Sequence, residues 1–198
     1  MGKPLALNRI IVVGASAGGV HALCALVQQL PENWAAVMFI VMHLGKGSVL
    51  PQVLSRCHGD GNIAFARNHE KIQAGRIYVA PPHRYMTITN SRIRLTKGPE
   101  LYFHRWSVDA LFHSAASAYG RRVIGIVLTG CLDDGASGML SIKNEGGLAV
   151  VQDPAEARFP DMPLNAMRAA SVDHCLPLAE IPPLLIDVAR TRPHPVPH

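Results

Sequence analysis

The sequence predicts a three-layer α/β fold in which a doubly wound, mostly parallel sheet lies between helices and carries an inserted β-hairpin. Short apolar, β-branched runs alternate along the chain with segments of helical periodicity. The run AAVMFIVM at 35–42 lacks polar alternation, as is typical of a strand buried on both faces. Hydrophobic residues make up 48% of the 198 residues and charged residues only 17%, below the roughly 25% of an average domain.

Each element follows from its local pattern. Arg9–Val13 is the first β-branched run, and a helix from Gly18 to Leu30 follows its glycine-containing turn. A hairpin is predicted at Tyr85–Thr96, where alternating residues flank Asn90-Ser91. Apolar runs predict further strands at Ala35–Met42, Ile63–Arg67, Arg76–Ala80, Val123–Thr129, Leu148–Gln152 and His174–Leu176. Helical periodicity predicts helices at Ser48–Cys57, Ser107–Tyr119, Ala136–Glu145, Pro163–Ala170 and Ala179–Arg190.

Length and composition predict one domain over residues 1–192, followed by a disordered proline-rich tail at 193–198. A globally disordered chain and a disulfide-stapled secreted scaffold are excluded by the high apolar content and the low cysteine density. The four cysteines show no C-x-x-C spacing, and no signal peptide is apparent, so we expect reduced thiols in a cytoplasmic protein. Residues 10–31 carry no charge, but their glycines and polar residues favour a strand, loop and helix over a membrane span.

Reactive residues follow three of the predicted strands, at the edge where parallel sheets place their chemistry. The first is Ser16 in the Gly-x-Ser-x-Gly pattern of Gly14–Gly18. A serine at such a strand-to-helix turn is exposed near the positive end of a helix, where an oxyanion can be stabilised. A phosphate-binding glycine loop or a simple tight turn is the alternative, although neither common nucleotide fingerprint is present.

The second reactive residue is His43, which directly follows the second strand. A base there, on a strand next to the first, can reach the serine hydroxyl. Six of the other histidines have no partner at metal-ligand spacing, namely His58, His69, His83, His104, His113 and His174. His194 and His198 are four residues apart but lie in the proline-rich tail, so we expect no metal.

The third feature is the acidic pair Asp133-Asp134, which follows the strand VIGIVLT and precedes a helix. One of these carboxylates can orient a catalytic histidine, as in a Ser-His-Asp triad. Capping of the following helix and metal binding are the alternatives. The chain order Ser, His, Asp differs from that of the α/β-hydrolases and of the two familiar serine protease folds.

These residues lie in a series of motifs that resembles the catalytic domain of the CheB family, the chemotaxis protein-glutamate methylesterases. The resemblance runs from about Arg9 to Val188, and its motifs are, in order, IVVGASAGG, VMH, RIYVAP, SVDALFHSAA, LTG..DDGASGML and VVQDP. The resemblance implies that Ser16 is the nucleophile, His43 the base and Asp134 the aspartate. It also implies hydrolysis of glutamate γ-methyl esters on chemoreceptor helices, with related deamidation of glutamines. The oxyanion would be held by the backbone amides of Ala17 and Cys131.

Three departures from the family pattern bear on these expectations. Leu132 stands where the family usually has a glycine, which would reshape the loop that presents Asp134. The loop after His43 reads Leu44-Gly45-Lys46, so substrate contacts would differ. The first strand begins near residue 9, so we expect a stand-alone catalytic domain that lacks the usual receiver domain.

Two other classes of function are open at this stage. A non-catalytic module of the same fold would dock on receptors without turnover. The second class is nucleic-acid binding, which is suggested by the net charge of +5 and by a basic region that contains aromatic residues. That region comprises Arg84, Tyr85, Arg92, Arg94, Lys97, Tyr102, Arg105, Trp106, Arg121 and Arg122. We expect instead a protein partner, the methyl-accepting helices, with no nucleic acid, no cofactor and membrane contact only through the receptor.

Overall fold

The computed structural model describes residues 8–32, 34–59, 62–89, 91–97 and 107–191. Its strands are β1 (Arg9–Ala15), β2 (Ala36–Met42), β3 (Ile63–Phe65), β4 (Ile77–Val79), β5 (Arg84–Thr89), β6 (Arg92–Lys97), β7 (Val123–Val127), β8 (Leu148–Gln152) and β9 (His174–Leu176). Its helices are α1 (Gly19–Gln28), α2 (Leu50–His58), α3 (Ser107–Tyr119), α4 (Ala136–Asn144), α5 (Asp161–Ala169) and α6 (Ile181–Arg190). The predicted α/β fold class is confirmed, and the predicted tail at 193–198 lies outside the described residues.

Seven strands form one parallel sheet in the order β3-β4-β2-β1-β7-β8-β9. The chain winds from β1 towards β2 and then crosses back to β7 on the other side of β1. The topological switch point therefore lies at β1, the position where doubly wound sheets open a crevice at the carboxyl ends of their strands. The remaining strands, β5 and β6, form the expected antiparallel hairpin.

Alternate residues of the central strands enter two separate hydrophobic cores. In β1, Ile10 and Val12 face the core built with α3, α4 and α5, whereas Ile11 and Val13 face the core built with α1, α2 and α6. The hairpin packs into the first of these cores through Met86, Ile88 and Ile93. Burial on both faces explains the low charge of the sequence, because few positions on such a sheet reach solvent.

The prediction of four reduced thiols is wrong for two of them. Cys24 on α1 and Cys57 on α2 form a disulfide, with their Cα atoms 5.5 Å apart, whereas Cys131 and Cys175 are free. The two helices pack on the same face of the sheet, which brings together residues 33 positions apart in the chain. Across the described ranges, no helix combines the length and apolar character needed to cross a membrane.

Candidate active site

Ser16 lies immediately after β1, in the turn that leads into α1. Its backbone N–H donates to the carbonyl of Thr129 at 3.0 Å, and its carbonyl accepts from Gly19 N–H at 2.9 Å. Gly18, at φ 77°, adopts the left-handed conformation that closes this turn and that glycine tolerates best. The serine side chain is thus held at the switch point, with a backbone tied to the residue that follows β7.

A chain of hydrogen bonds joins residues that follow three adjacent strands. Ser16 Oγ lies 3.0 Å from Nδ1 of His43, which directly follows β2. His43 Nε2 lies 3.0 Å from Oδ2 of Asp134, which follows β7. Since β2, β1 and β7 are neighbours in the sheet, their carboxyl ends bring these three side chains together. In chymotrypsin-like proteases the imidazole is turned the other way, with Nε2 towards the serine.

Asp134 is buried, and its carboxylate accepts several hydrogen bonds besides that of His43. The backbone N–H groups of Val108 and Asp109 donate to it at 3.0–3.1 Å, and the Ser107 hydroxyl donates at 3.2 Å. These donors belong to the first turn of α3, so the carboxylate lies at the positive end of that helix. With donors converging on it, Asp134 acts as an acceptor, and His43 donates through Nε2. Nδ1 is then left to accept the Ser16 proton.

A second buried carboxylate, Asp109, supports the loop that carries Asp134. Its Oδ1 accepts from Gly135 N–H at 3.1 Å and from Gly138 N–H at 2.6 Å, at the start of α4. Burial raises the pKa of Asp109, and the nearby Asp134 charge adds to this rise although the glycine N–H groups oppose it. Sequence patterns did not single out Asp109, Ser107 or Val108, although all three lie in the SVDALFHSAA motif.

Thr129 fixes the position of the serine turn from the other side. Its N–H donates to Gln152 Oε1 at 2.9 Å, and its hydroxyl donates to the carbonyl of Ala17 at 3.1 Å. The same hydroxyl accepts from Phe159 N–H at 2.9 Å. Gln152 belongs to the VVQDP motif. This motif therefore helps to position the site by binding the backbone of the loop between β7 and α4, called the β7 loop below.

Gly130 allows the serine turn and the β7 loop to approach each other. A Cβ atom at Gly130 would lie 2.9 Å from Ser16 Cβ and 2.1 Å from Met162 Sδ, closer than nonbonded carbon and sulfur atoms pack. Beside it, the backbone N–H groups of Ala17 and Cys131 donate to no acceptor in the described part of the protein. They remain the candidate oxyanion donors.

Comparisons with known proteins identify the family of this chain. A family model for CheB methylesterase matches residues 11–185. The chain belongs to the CheB methylesterase family. The expected resemblance is therefore confirmed over most of the sequence.

Individual members of the CheB family show how far the similarity extends. A putative protein-glutamate methylesterase/protein-glutamine glutaminase of Leptospira interrogans is 38% identical, with 89% of this chain and 92% of that protein aligned. The Escherichia coli protein-glutamate methylesterase/protein-glutamine glutaminase is 32% identical over 91% of this chain but only 53% of its own length. The crystal structure of the Thermotoga maritima CheB methylesterase catalytic domain superposes with a TM-score of 0.83 at 28% identity, covering 91% of this chain and 98% of that one.

Against the usual CheB pattern, Leu132 replaces a glycine without breaking the contact between Asp134 and His43. Its φ of 67° is left-handed, so the leucine adopts the backbone conformation that a glycine would take more easily. The neighbouring Asp133 is exposed, and its side chain makes no hydrogen bond to a described residue. The geometry therefore distinguishes the two acidic residues, which residue pattern alone left open.

The basic region considered for nucleic acid is divided between the hairpin, the turn after α3 and residues outside the described ranges. Arg84, Arg92, Arg94 and Lys97 lie on the hairpin, which follows the carboxyl end of β4. Arg121 and Arg122 lie in the short 3-10 turn between α3 and β7. Tyr102, Arg105 and Trp106 lie outside the described residues. Within the described ranges, no group of three or more histidine, cysteine, aspartate or glutamate residues is arranged to hold a metal ion.

Proposed function

We propose that this protein is a serine esterase that hydrolyses glutamate γ-methyl esters on proteins, with Ser16, His43 and Asp134 as its triad. The observation that carries the proposal is the continuous chain of two 3.0 Å hydrogen bonds from Ser16 through His43 to Asp134. The names of the Leptospira and Escherichia coli relatives support the choice of substrate. They also support glutamine deamidation at the same site.

The proposed reaction begins when Ser16 Oγ attacks the ester carbonyl and transfers its proton to His43 Nδ1. Asp134 stabilises the resulting imidazolium through Nε2 and holds the ring in place. The amides of Ala17 and Cys131 bind the oxyanion, where loss of one donor typically costs about 3 kcal/mol. His43 then donates the proton to the departing methoxide, so that methanol leaves and a glutamyl ester with Ser16 remains.

Water completes the cycle in the second half of the reaction. His43 accepts a proton from the water as its oxygen attacks the acyl-enzyme, and returns that proton to Ser16 Oγ as the bond to serine breaks. The products are a protein glutamate and the free enzyme. A glutamine substrate follows the same route with ammonia as the leaving group.

The proposed partners are the methyl-accepting helices of chemoreceptors, in the cytoplasm, with any contact to the membrane made through the receptor. Residues 1–192 form the proposed catalytic domain. The site lies at the open edge of the sheet, where the His43 side chain is 17% exposed and the Asp134 side chain only 5%. Because His43 reaches the surface, a protein substrate can approach it.

The test of the triad is Ser16→Ala, assayed by methanol release from a methylated receptor fragment. We expect a loss on the order of 10⁴-fold or more, because the covalent route is removed. Ser141→Ala is the matched control, since Ser141 Oγ lies 2.7 Å from Nδ1 of His113 on the surface of α3 and α4. The control should keep full activity.

Unchanged methanol release from Ser16→Ala would disprove the nucleophile assignment. A parallel assay with p-nitrophenyl acetate separates chemistry from docking. Wild-type protein that binds the receptor fragment but hydrolyses neither substrate would instead be a non-catalytic receptor-binding module.

A further inference from the structure

Leu132 combines two features that are unfavourable for a leucine. Its φ of 67° is left-handed, a conformation in which Cβ crowds the backbone and which costs free energy for any residue other than glycine. Its side chain is 60% exposed, so burial in the protein does not compensate for that strain. The other described non-glycine residues with positive φ are His69, His83 and Ser91, none of them aliphatic.

Leu132 is close in the chain to Asp134 and to Gly130, the residue that packs against Ser16. It lies two residues after Gly130, which packs against Ser16, and two residues before Asp134. Because successive Cα atoms are 3.8 Å apart, its Cα is within about 7.6 Å of the Cα atoms of Gly130 and Asp134. The strained backbone is also secured from α5, since Asn165 Nδ2 donates to the carbonyl of Leu132 at 2.8 Å.

The large hydrophobic side chains that are exposed in the described ranges are Val20, Val49, Leu132, Leu140 and Met167. Val20, 43% exposed, lies four residues after Ser16, and Val49, 57% exposed, lies six residues after His43. Exposure of a single apolar side chain is ordinary, so the left-handed backbone is what distinguishes Leu132. Leu132 is the most exposed of these five residues, and it is the one among them with a positive φ.

We propose that Leu132 is a specificity-determining residue that contacts an apolar side chain of the protein substrate next to the ester. This inference rests on the proposed esterase function and adds a contact outside the reacting atoms. The exposed side chain belongs to the loop that joins Gly130, which packs against Ser16, to Asp134, so a polypeptide bound at the triad can reach it. A small ester that occupies only the reacting centre does not reach this contact, whereas a polypeptide does.

The test compares Leu132→Ala and Leu132→Met with wild type on a methyl-esterified receptor fragment and on p-nitrophenyl acetate. Loss of a buried leucine contact predicts that Leu132→Ala raises KM for the receptor fragment about tenfold with little change in kcat. The ratio of kcat/KM for the fragment to kcat/KM for the small ester then falls about tenfold, and Leu132→Met restores most of it. Met167→Ala is the matched control, because Met167 is 39% exposed on α5, and its ratio should be that of wild type.

A stability measurement separates contact from backbone strain. Leu132→Gly relieves the left-handed strain that Leu132→Ala retains, so the glycine variant should melt about 2–4 °C higher than the alanine variant. Both variants should nevertheless show the raised KM, because both lack the leucine side chain.

Three outcomes would overturn the inference. One is an unchanged KM for the receptor fragment in Leu132→Ala. Another is an equal loss on both substrates, which would make Leu132 a residue that positions Asp134 rather than one that contacts substrate. The third is a Met167→Ala variant that loses as much as Leu132→Ala. Failure of the proposed function itself looks different, since wild type would then release no methanol from the fragment.

Discussion

Replacing Asp134 by asparagine removes one negative charge from a site with four converging donors. The side chain keeps its size, and the remaining oxygen can still accept from the N–H groups of Val108 and Asp109. The new NH₂ group then faces the Ser107 hydroxyl and His43 Nε2, which both donate to Oδ2 in the native protein. The NH₂ group and the protonated Nε2 of His43 would then both be donors and would repel each other, unless the proton of the imidazole moves to Nδ1.

The cost to the fold follows from the bonds that are weakened. Hydrogen bonds to a charged group contribute about 1.5–3 kcal/mol each and neutral ones about 0.5–1.5 kcal/mol, and Asp134→Asn replaces those of Ser107 and His43 with neutral ones. Release from the desolvation of a buried carboxylate offsets part of that loss. We therefore expect the free energy of unfolding, measured by urea denaturation, to fall by about 1–2 kcal/mol.

The cost to activity follows from the tautomer. An asparagine NH₂ group favours an unprotonated Nε2, which moves the proton of His43 to Nδ1 and leaves that nitrogen unable to accept from Ser16. In serine proteases the corresponding substitution lowers kcat about 10⁴-fold, equivalent to about 5.4 kcal/mol of barrier. We expect a loss of that order in methanol release, together with a change in the ¹⁵N chemical shifts of the His43 ring.

Asp133→Asn provides the matched control, because it makes the same chemical change one residue away at an exposed position. Its unfolding free energy and its kcat should stay close to those of wild type. The reasoning is refuted if Asp134→Asn retains activity within tenfold of wild type, or if Asp133→Asn loses as much as Asp134→Asn.

Two further predictions concern the packing and charge around the site. Gly130→Ala should lower the unfolding free energy by about 1–3 kcal/mol, since its Cβ would overlap Met162 Sδ at 2.1 Å and press on Ser16; an unchanged urea midpoint with unchanged kcat would contradict this. Asp109→Asn keeps an oxygen that accepts from Gly135 and Gly138 but carries no buried charge. Burial raises the pKa of Asp109 above its usual 3.8. The unfolding free energy of wild type should therefore fall as the pH rises from about 3.8 through the folded-state pKa, because the buried carboxyl must ionise. This contribution is absent from the variant. The prediction is refuted if, in unfolding curves between pH 3 and 8, the stability of wild type relative to Asp109→Asn increases as the pH rises.

Much of the fold and the meeting of Ser16, His43 and Asp134 could be predicted because both depend on one rule. Parallel strands place their carboxyl ends at one edge, so polar residues that follow neighbouring strands must lie close together. The rule requires only apolar runs and their order, which are local properties of the sequence.

The parts that could not be predicted depend on contacts between distant segments. The Cys24–Cys57 disulfide requires the relative placement of α1 and α2 on one face of the sheet. The donors on Asp134 come from the start of α3, a helix that no local pattern connects to the β7 loop. The left-handed backbone at Leu132 contradicts the ordinary preference of leucine, so only the surrounding loop, including the bond from Asn165, determines it.

The placement of Asp134 at the first turn of α3 makes this side chain part of the protein's folding energetics as well as of its proposed chemistry. A descendant of this protein that stopped hydrolysing esters would gain nothing by losing the aspartate, and would lose stability if it did. Ser16 has a smaller role of this kind, because its turn is held by backbone hydrogen bonds and its hydroxyl bonds only to His43 among the described residues. In comparing proteins of this type, a retained aspartate therefore reports a retained fold, whereas a retained serine is the informative sign of turnover.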